Sequence, residues 1–170
     1  MRVTVATPVN LGPVTMAAAF ERVFGLQTLR RMHGDSFEAT AWAAQSRTVK
    51  FEIRFDAVPP EVRRFFCGDR LRVRLHQRAT VQDGSVSVRD KMRMHFVGSE
   101  LFIVRPRHRI EARPEGVFFT AEVENHAMLP PPLCNIVEAF MDASSRAQLE
   151  RFSKILLEDD GGTAEKNNTS

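Results

Sequence analysis

Hydrophobic and polar residues alternate along most of the chain from Phe37 to Glu124, which is the pattern of β-strands with one buried face. The clearest run is Val49–Phe55, where apolar residues alternate with Lys, Glu and Arg. A first short strand covers residues 2–9, a weak run covers 37–44, and further runs cover 71–78, 86–96, 102–110 and 117–123. The Asp83-Gly84 pair between two runs is typical of a β-hairpin turn. The pattern therefore predicts an antiparallel meander.

Other segments carry the three-and-four spacing of amphipathic helices. One runs from Pro13 to about Met32, and we expect Gly25 to divide it because glycine costs about 1 kcal/mol in a helix interior. A short helical turn is predicted at 59–66. A long helix starts just past Pro132 and runs to about Leu157. A single late helix can cover the apolar face of a sheet, so the predicted fold class is α+β.

This order of elements resembles the helix-grip fold of the START-like (SRPBCC) superfamily, which includes START lipid-transfer domains, polyketide cyclases and Bet v 1-type proteins. The segment VPPEVRRFFCGDRLRVRLHQRATV, residues 58–81, is similar to a P-x-x-V-R-R-F-x-G-G region of an uncharacterised bacterial branch, with Cys67 in place of the first Gly. The resemblance implies a curved antiparallel meander sheet, with two short helices after strand 1, wrapped around a long C-terminal helix. It also implies a cavity between sheet and helix for a lipid or other hydrophobic molecule. It brings no shared catalytic signature.

Length and composition favour one domain. The 170 residues, 43% of them hydrophobic, can form a single core, and we predict a START-like domain at 1–158 with a disordered polar tail at 159–170. No apolar stretch approaches the ~20 residues of a membrane span, and the first residues lack a secretory signal pattern. Cys67 and Cys134 are far apart and are expected to be free thiols. The expected location is a reducing intracellular compartment, most simply the cytoplasm.

The inward face of the predicted sheet is the first candidate site. It carries methionine and phenylalanine, which suit irregular apolar ligands. The predicted lining residues are Leu75, Gln77, Met92, Met94, Phe96, Phe102, His108, Phe119 and Phe140. The alternative is a core that these side chains fill completely.

Three polar residues fall among those inward positions by the period of two: Gln77, Asp90 and His108. A buried carboxylate needs a partner, and we expect Asp90 and His108 to meet across neighbouring strands. They are weak catalytic candidates, as a general acid/base pair in a cyclase-like reaction. The alternative is that they only satisfy each other, or that a bulge turns one of them to solvent.

The outward face is strongly basic. Neighbouring strands would place three rows side by side: Arg70, Arg72, Arg74, His76 and Arg78; Arg89, Lys91, Arg93 and His95; Arg105, Arg107 and Arg109. Because like charges opposite each other destabilise a sheet, this face suggests an anionic membrane surface, an acidic protein or a nucleic-acid backbone. Missing aromatic residues disfavour sequence-specific RNA binding. The alternative is a solvated face, neutralised at its flanks by Glu52, Glu122 and Glu124.

Cofactor and metal chemistry has no support in the pattern. The five histidines are scattered, and there is no phosphate loop or zinc signature, so we expect no cofactor and no metal. The leading hypothesis is a non-enzymatic module that binds a hydrophobic small molecule. The second is a scaffold component, for instance of a ribonucleoprotein, that uses the basic face with a filled cavity. The third is a cyclase-like enzyme.

Overall fold

The computed structural model describes residues 1–55, 57–66 and 68–161. The predictions for Cys67 and for the tail beyond residue 161 lie outside these residues. The strands are β1 (Arg2–Val5), β2 (Val9–Asn10), β3 (Glu38–Ala39), β4 (Ser46–Arg54), β5 (Arg70–Gln82), β6 (Ser85–Met94), β7 (Phe102–Arg113) and β8 (Gly116–Ala127). The α-helices are α1 (Met16–Phe24), α2 (Leu26–His33), α3 (Pro60–Arg63) and α4 (Leu133–Gly161), and 3₁₀ turns cover Gly34–Ser36 and Ser99–Leu101.

Within the described residues the strands form one antiparallel sheet in the order β1-β8-β7-β6-β5-β4-β3, with β2 also paired to β8. The long helix α4 lies against β1 and β8, and α2 packs on α4. The predicted fold class is confirmed: the chain is α+β with a helix-grip arrangement. Consecutive strands from β3 to β8 are neighbours, so the middle of the sheet is a meander.

Two glycines act as the sequence predicts. Gly84 has φ +69° in the two-residue turn between β5 and β6, where Gln82 pairs with Ser85. Gly25 separates α1 from α2, and its N–H donates to the Glu21 carbonyl at 2.7 Å. The predicted hairpin and the predicted division of the first helical segment are therefore both confirmed.

Several predicted boundaries were wrong for local reasons. The first strand divides into β1 and β2, and the first helix begins at Met16 rather than Pro13 because Thr15 caps it, its hydroxyl accepting from the Ala18 N–H. The run at 37–44 shortens to β3, because Ala44 and Gln45 adopt positive φ in a turn. The last helix continues to Gly161, three residues into the predicted tail.

The buried face of α4 includes a charged residue. Glu138 is 5% exposed, whereas Ala147, further along the helix, is exposed. The Glu138 carboxylate accepts from the Ala127 N–H at 3.1 Å and lies 3.1 Å from His126 Nδ1 and 2.9 Å from the Met1 amine. Burial alone would raise the pKa of Glu138, but these hydrogen bonds and the charge of the amine outweigh it and lower the pKa to about 2. The carboxylate therefore ties the start of α4 to the end of β8.

The buried apolar residues form three clusters rather than one. The first joins α1, β2, β8 and the second half of α4 around Phe119 and Leu156. The second surrounds Val62, Phe102 and Val137 at the start of α4. The third lies on β4 and β5 around Val49. Because a domain of this size usually builds one contiguous core, the space where the three meet is where a site is expected.

Candidate functional site: a cavity with a buried polar row

A cavity of about 200 Å³ lies where the three clusters meet. Its wall takes residues from each of them, for example Phe24 from the first, Met141 from the second and Leu75 from the third. Most of the lining atoms are apolar. A cavity of this size is slightly larger than the ~150 Å³ engineered cavity that takes up benzene, and smaller than the ~300–1,000 Å³ typical of drug-sized pockets.

Most of the predicted lining residues are in this wall: Leu75, Gln77, Met92, Met94, Phe96, Phe102, His108 and Phe140. Phe119 is the exception, so its predicted place in the lining was wrong. It is 1% exposed and packs edge-on against Phe152, with ring centres 5.2 Å apart, and parallel to the His108 ring at 6.0 Å. Phe119 therefore lies behind the wall and supports His108.

One end of the cavity is aromatic. Phe66 stacks at a tilt on Phe96 at 4.7 Å, Phe96 meets Phe102 edge-on at 5.0 Å, and Phe55 lies 5.1 Å from Phe140. These rings come from β7, α4 and the loops beside α3. Aromatic contacts of this geometry add about 0.5–1.5 kcal/mol each beyond burial, so this end is a firm apolar surface.

The other end holds a row of polar side chains that crosses four neighbouring strands. Arg47 on β4 donates from Nε to Gln77 Oε1 at 2.7 Å, and Gln77 Nε2 donates to Asp90 Oδ1 at 3.1 Å. Asp90 Oδ2 lies 3.2 Å from His108 Nε2. The structure thus brings Asp90 and His108 together, with 1% and 12% of their side chains exposed. Gln77 joins the row on β5, as its inward position suggested.

Arg47 is the member of the row that the sequence analysis missed. It is 4% exposed, its Nη1 donates to the Phe24 carbonyl at 2.7 Å, and its guanidinium lies over the Trp42 ring at 4.7 Å. Burial lowers the pKa of Arg47 to about 10, against the charges of Asp90 and Glu21, which raise it. Arg47 is therefore charged at neutral pH and balances the Asp90 carboxylate. The alternating sequence pattern could have identified Arg47 as buried, because it continues the inward series of Val49 and Phe51.

Three cavity-lining residues carry a buried polar atom that has no hydrogen-bond partner among the described residues: Arg47 Nη2, His108 Nδ1 and Asn125 Oδ1. Asn125 is fully buried on β8, and its Nδ2 donates to Ser145 Oγ on α4 at 2.9 Å. Roughly nine-tenths or more of buried polar groups are normally satisfied. Arg47 and His108 belong to the polar row, whereas Asn125 pairs with Val104 on β7 and lies closer to Phe102 than to His108, so the unsatisfied atoms lie in two parts of the wall.

The polar row can fix both the tautomer and the orientation of the His108 imidazole. An ionised Asp90 carboxylate can only accept hydrogen bonds, so it takes the Nε2–H of His108, and the neutral imidazole then keeps its lone pair on Nδ1. Phe24, Phe119 and Phe152 surround the ring at 5.8–6.3 Å, so the imidazole is fixed in position. An imidazole held in this way can accept a hydrogen bond, or a proton, from a bound hydroxyl.

His33 is a second histidine in the wall, at the end of α2. Its ring stacks on Phe51 with centres 3.9 Å apart. Burial, and secondly the positive charge of Arg151, lower the pKa of His33 to about 4. This histidine is therefore neutral at pH 7 and forms part of the apolar wall.

The outer face of the sheet carries the predicted basic rows, and the strand register shows which of these charges are compensated. Arg105 and Arg107 lie opposite Glu124 and Glu122, with nitrogen–oxygen distances of 3.2 and 3.3 Å. Other compensated arginines are Arg70 and Arg72, which lie beside Glu52, and Arg109, which lies beside Glu111. The flanks of this face are thus neutralised.

The central ladder is different. On β5 and β6, Arg74 faces Arg93, His76 faces Lys91 and Arg78 faces Arg89. All six are exposed, and within the described residues none of them forms an ion pair with a carboxylate. We call these six residues the central basic strip. Repulsion between directly opposed like charges costs up to about 1 kcal/mol per pair.

Two kinds of site are absent from the part of the chain that the structure describes. No three histidine, cysteine, aspartate or glutamate side chains come together as metal ligands would. No helix there has the length and hydropathy needed to cross a membrane. Cys134 is a free thiol whose Sγ donates to the Ala127 carbonyl at 3.1 Å.

Comparisons with known proteins bear on the fold. The sequence matches no protein-family model and no curated protein. Among solved structures, TTHA0849 from Thermus thermophilus is similar with a TM-score of 0.54 and 13% identity, over 93% of this chain and 99% of that one. CV1439 from Chromobacterium violaceum aligns with a TM-score of 0.41 and 12% identity, over 91% of this chain and 96% of that one. At such identities, the first likeness supports the fold alone.

Proposed function

We propose that the chain is a START-like binding module that holds a compact hydrophobic molecule between its sheet and α4. The observation that carries this proposal is the division of the core into three clusters around a cavity lined by Met92, Met94 and a group of phenylalanines. Methionine and phenylalanine adapt to apolar ligands of irregular shape. The volume favours a ring-sized molecule over a whole membrane lipid.

Mass spectrometry tests this proposal, on freshly purified protein under native conditions and after solvent extraction. We expect a stoichiometric apolar passenger, or a rise in melting temperature with members of a panel of small apolar compounds. Met94→Trp should abolish both the bound passenger and the thermal shift, because the larger side chain on β6 would occupy the cavity.

The matched control is Val97→Trp, which introduces the same side chain at a position that is 79% exposed. This variant should keep the passenger and the thermal shift. Retention of ligand by Met94→Trp, or a wild-type protein that neither carries nor responds to any apolar compound, contradicts the proposal. Circular dichroism should show that both variants are folded.

A second candidate function is supported by the central basic strip. Six exposed basic residues without carboxylate partners among the described residues suit an anionic surface. The strip contains no phenylalanine or tryptophan for stacking on bases, which favours an anionic lipid surface over single-stranded RNA. In this second function the outer face brings the module to a membrane from which its ligand is taken.

Co-sedimentation with vesicles tests this second proposal. We expect binding to phosphatidylserine vesicles, no binding to phosphatidylcholine vesicles, and a steep loss of binding with added salt. Arg93→Glu should weaken binding more than Arg105→Glu, although both variants change the net charge equally, because Arg105 already lies against Glu124. Equal effects of the two variants, or preferential binding of single-stranded RNA, would overturn the proposal.

A further inference from the structure

The polar row carries an inference about which molecule the cavity takes, and this inference rests on the proposed binding function. An entirely apolar ligand needs no polar wall, yet Arg47, Gln77, Asp90 and His108 form a continuous buried series at one end. Two members of the series have a buried nitrogen without a partner among the described residues. A buried polar group that is left unsatisfied has lost its hydrogen bonds to water without replacement, so each of these atoms destabilises the empty protein.

The direction of the hydrogen bonds defines what His108 can receive. Asp90 accepts from Gln77 through Oδ1 and from His108 Nε2–H through Oδ2. The remaining nitrogen, Nδ1, is therefore an acceptor and calls for a donor on the ligand. The atom is closed to solvent, so a ligand reaches it only when a neighbouring phenyl ring moves aside, while Asp90 keeps the imidazole in place.

The charge balance of the row defines the charge of the ligand. The positive charge of Arg47 is offset by Asp90 through the bridging Gln77. With His108 as a neutral imidazole, an anionic ligand would bring a second negative charge into the cavity without a second cation in the row. Because an unpaired buried charge is costly, a neutral polar group is favoured.

We infer that the cavity selects a compact, ring-sized apolar molecule with one neutral hydroxyl, which donates to His108 Nδ1 while its apolar body lies toward the phenylalanine end. A phenol or a cyclic alcohol has this chemistry. The 200 Å³ volume accommodates such a molecule.

Three probes of similar size test the inference by calorimetry at pH 7: p-cresol, 4-fluorotoluene and 4-methylbenzoate. The cresol hydroxyl is neutral at this pH, like a tyrosine side chain with its pKa of about 10, whereas the benzoate is anionic. The fluorinated compound has the shape of cresol without the donor. We expect p-cresol to bind about tenfold more tightly than 4-fluorotoluene, and 4-methylbenzoate to bind most weakly.

Asp90→Asn gives a sharper test because it changes the row without removing a side chain. The amide oxygen can still accept from Gln77, but its NH₂ must donate to His108 Nε2, which moves the imidazole proton to Nδ1. The positive charge of Arg47 also loses its counterion. The affinity for 4-methylbenzoate relative to p-cresol should therefore rise at least about tenfold.

Two further variants complete the design. Asp69→Asn makes the same substitution at an exposed position outside the cavity wall and should keep the preference for p-cresol. His108→Phe preserves a ring among the surrounding phenyl groups and should make p-cresol and 4-fluorotoluene bind equally. It also provides a test if Asp90→Asn does not fold.

Failure of this inference can be distinguished from failure of the proposed function. Equal affinity of the wild-type protein for p-cresol and 4-fluorotoluene overturns the inference and leaves a hydrophobic-ligand site standing. An unchanged ratio of the affinities for 4-methylbenzoate and p-cresol in Asp90→Asn also overturns it. Absence of binding by all three probes overturns both.

Discussion

Arg74 and Arg93 lie directly opposite each other on the outer face of the sheet, on β5 and β6, and no carboxylate of the described residues pairs with either. On the neighbouring strand β7, Arg105 lies opposite Glu124 at 3.2 Å. The same sheet face therefore contains both an uncompensated and a compensated arginine in similar backbone settings. Comparing the two arginines therefore separates the effect of charge on stability from the effect of position in the sheet.

Arg93→Glu should raise the free energy of unfolding by about 0.2–1 kcal/mol, because it replaces a like-charge pair with an opposite-charge pair. Urea denaturation at low salt measures the change, which should shrink at high salt. Arg105→Glu should lower the free energy of unfolding, because it places two carboxylates opposite each other. A destabilisation of similar size in both variants would contradict the assignment of repulsion to the central basic strip.

Arg47→Met should lower the free energy of unfolding by about 3–5 kcal/mol, because it leaves the buried Asp90 carboxylate without a compensating charge. In an Asp90→Asn background the same change should cost at least about 1 kcal/mol less. Urea denaturation of the wild type, both single variants and the double variant gives this coupling energy. Additive losses would show that the two charges are independent.

His33 should make the protein less stable in mild acid. The folded-state pKa, lowered to about 4, lies below the ordinary 6.5, so the unfolded chain binds the extra proton between these values. The contribution of neutral His33 to the free energy of unfolding is therefore fully present above pH 6.5. It falls by about 1–3 kcal/mol as the pH decreases to about 4. His33→Phe should flatten this part of the profile, measured by urea denaturation across pH.

Glu138 should change the stability of the protein at lower pH than His33 does. Its pKa of about 2 in the folded state lies below the ordinary 4.5, so its stabilisation is present above pH 4.5 and is lost as the pH falls toward 2. Glu138→Gln can still accept from the Ala127 N–H but loses the charge, so it should be about 1–3 kcal/mol less stable at pH 7. The gap from the wild type should narrow below pH 4.5. Glu150→Gln, exposed on the same helix, should show no such gap.

The element order and sheet faces could be predicted because they follow from short-range patterns. The period of two placed Asp90 and His108 on one face, and the neighbouring strands then brought them within 3.2 Å. Gly25 and Gly84 marked breaks that backbone geometry alone explains. These features need no knowledge of how distant segments pack.

The missed features depend on tertiary contacts. Arg47 and Asn125 continue inward series, but only the positions of Gln77 and Ser145 make their burial acceptable. Glu138 looks like a surface residue of a helix until the end of β8 is placed beside it. The inward pattern includes Phe119, yet the rings packed against it separate it from the cavity. In each case a partner on another element determines the outcome.

The three-cluster core has a thermodynamic consequence for the whole chain. A cavity that neither side chains nor solvent fill destabilises a protein by roughly 24 cal/mol per Å³, so about 200 Å³ corresponds at most to a loss on the order of 5 kcal/mol. That loss is comparable to the entire stability of a marginal domain, which is about 5–15 kcal/mol. A molecule that fills the cavity would recover part of it and would add contacts between clusters that otherwise share only residues at their edges. Occupancy and resistance to unfolding should therefore rise together, so that degradation in a cell would preferentially remove the copies whose cavity is empty.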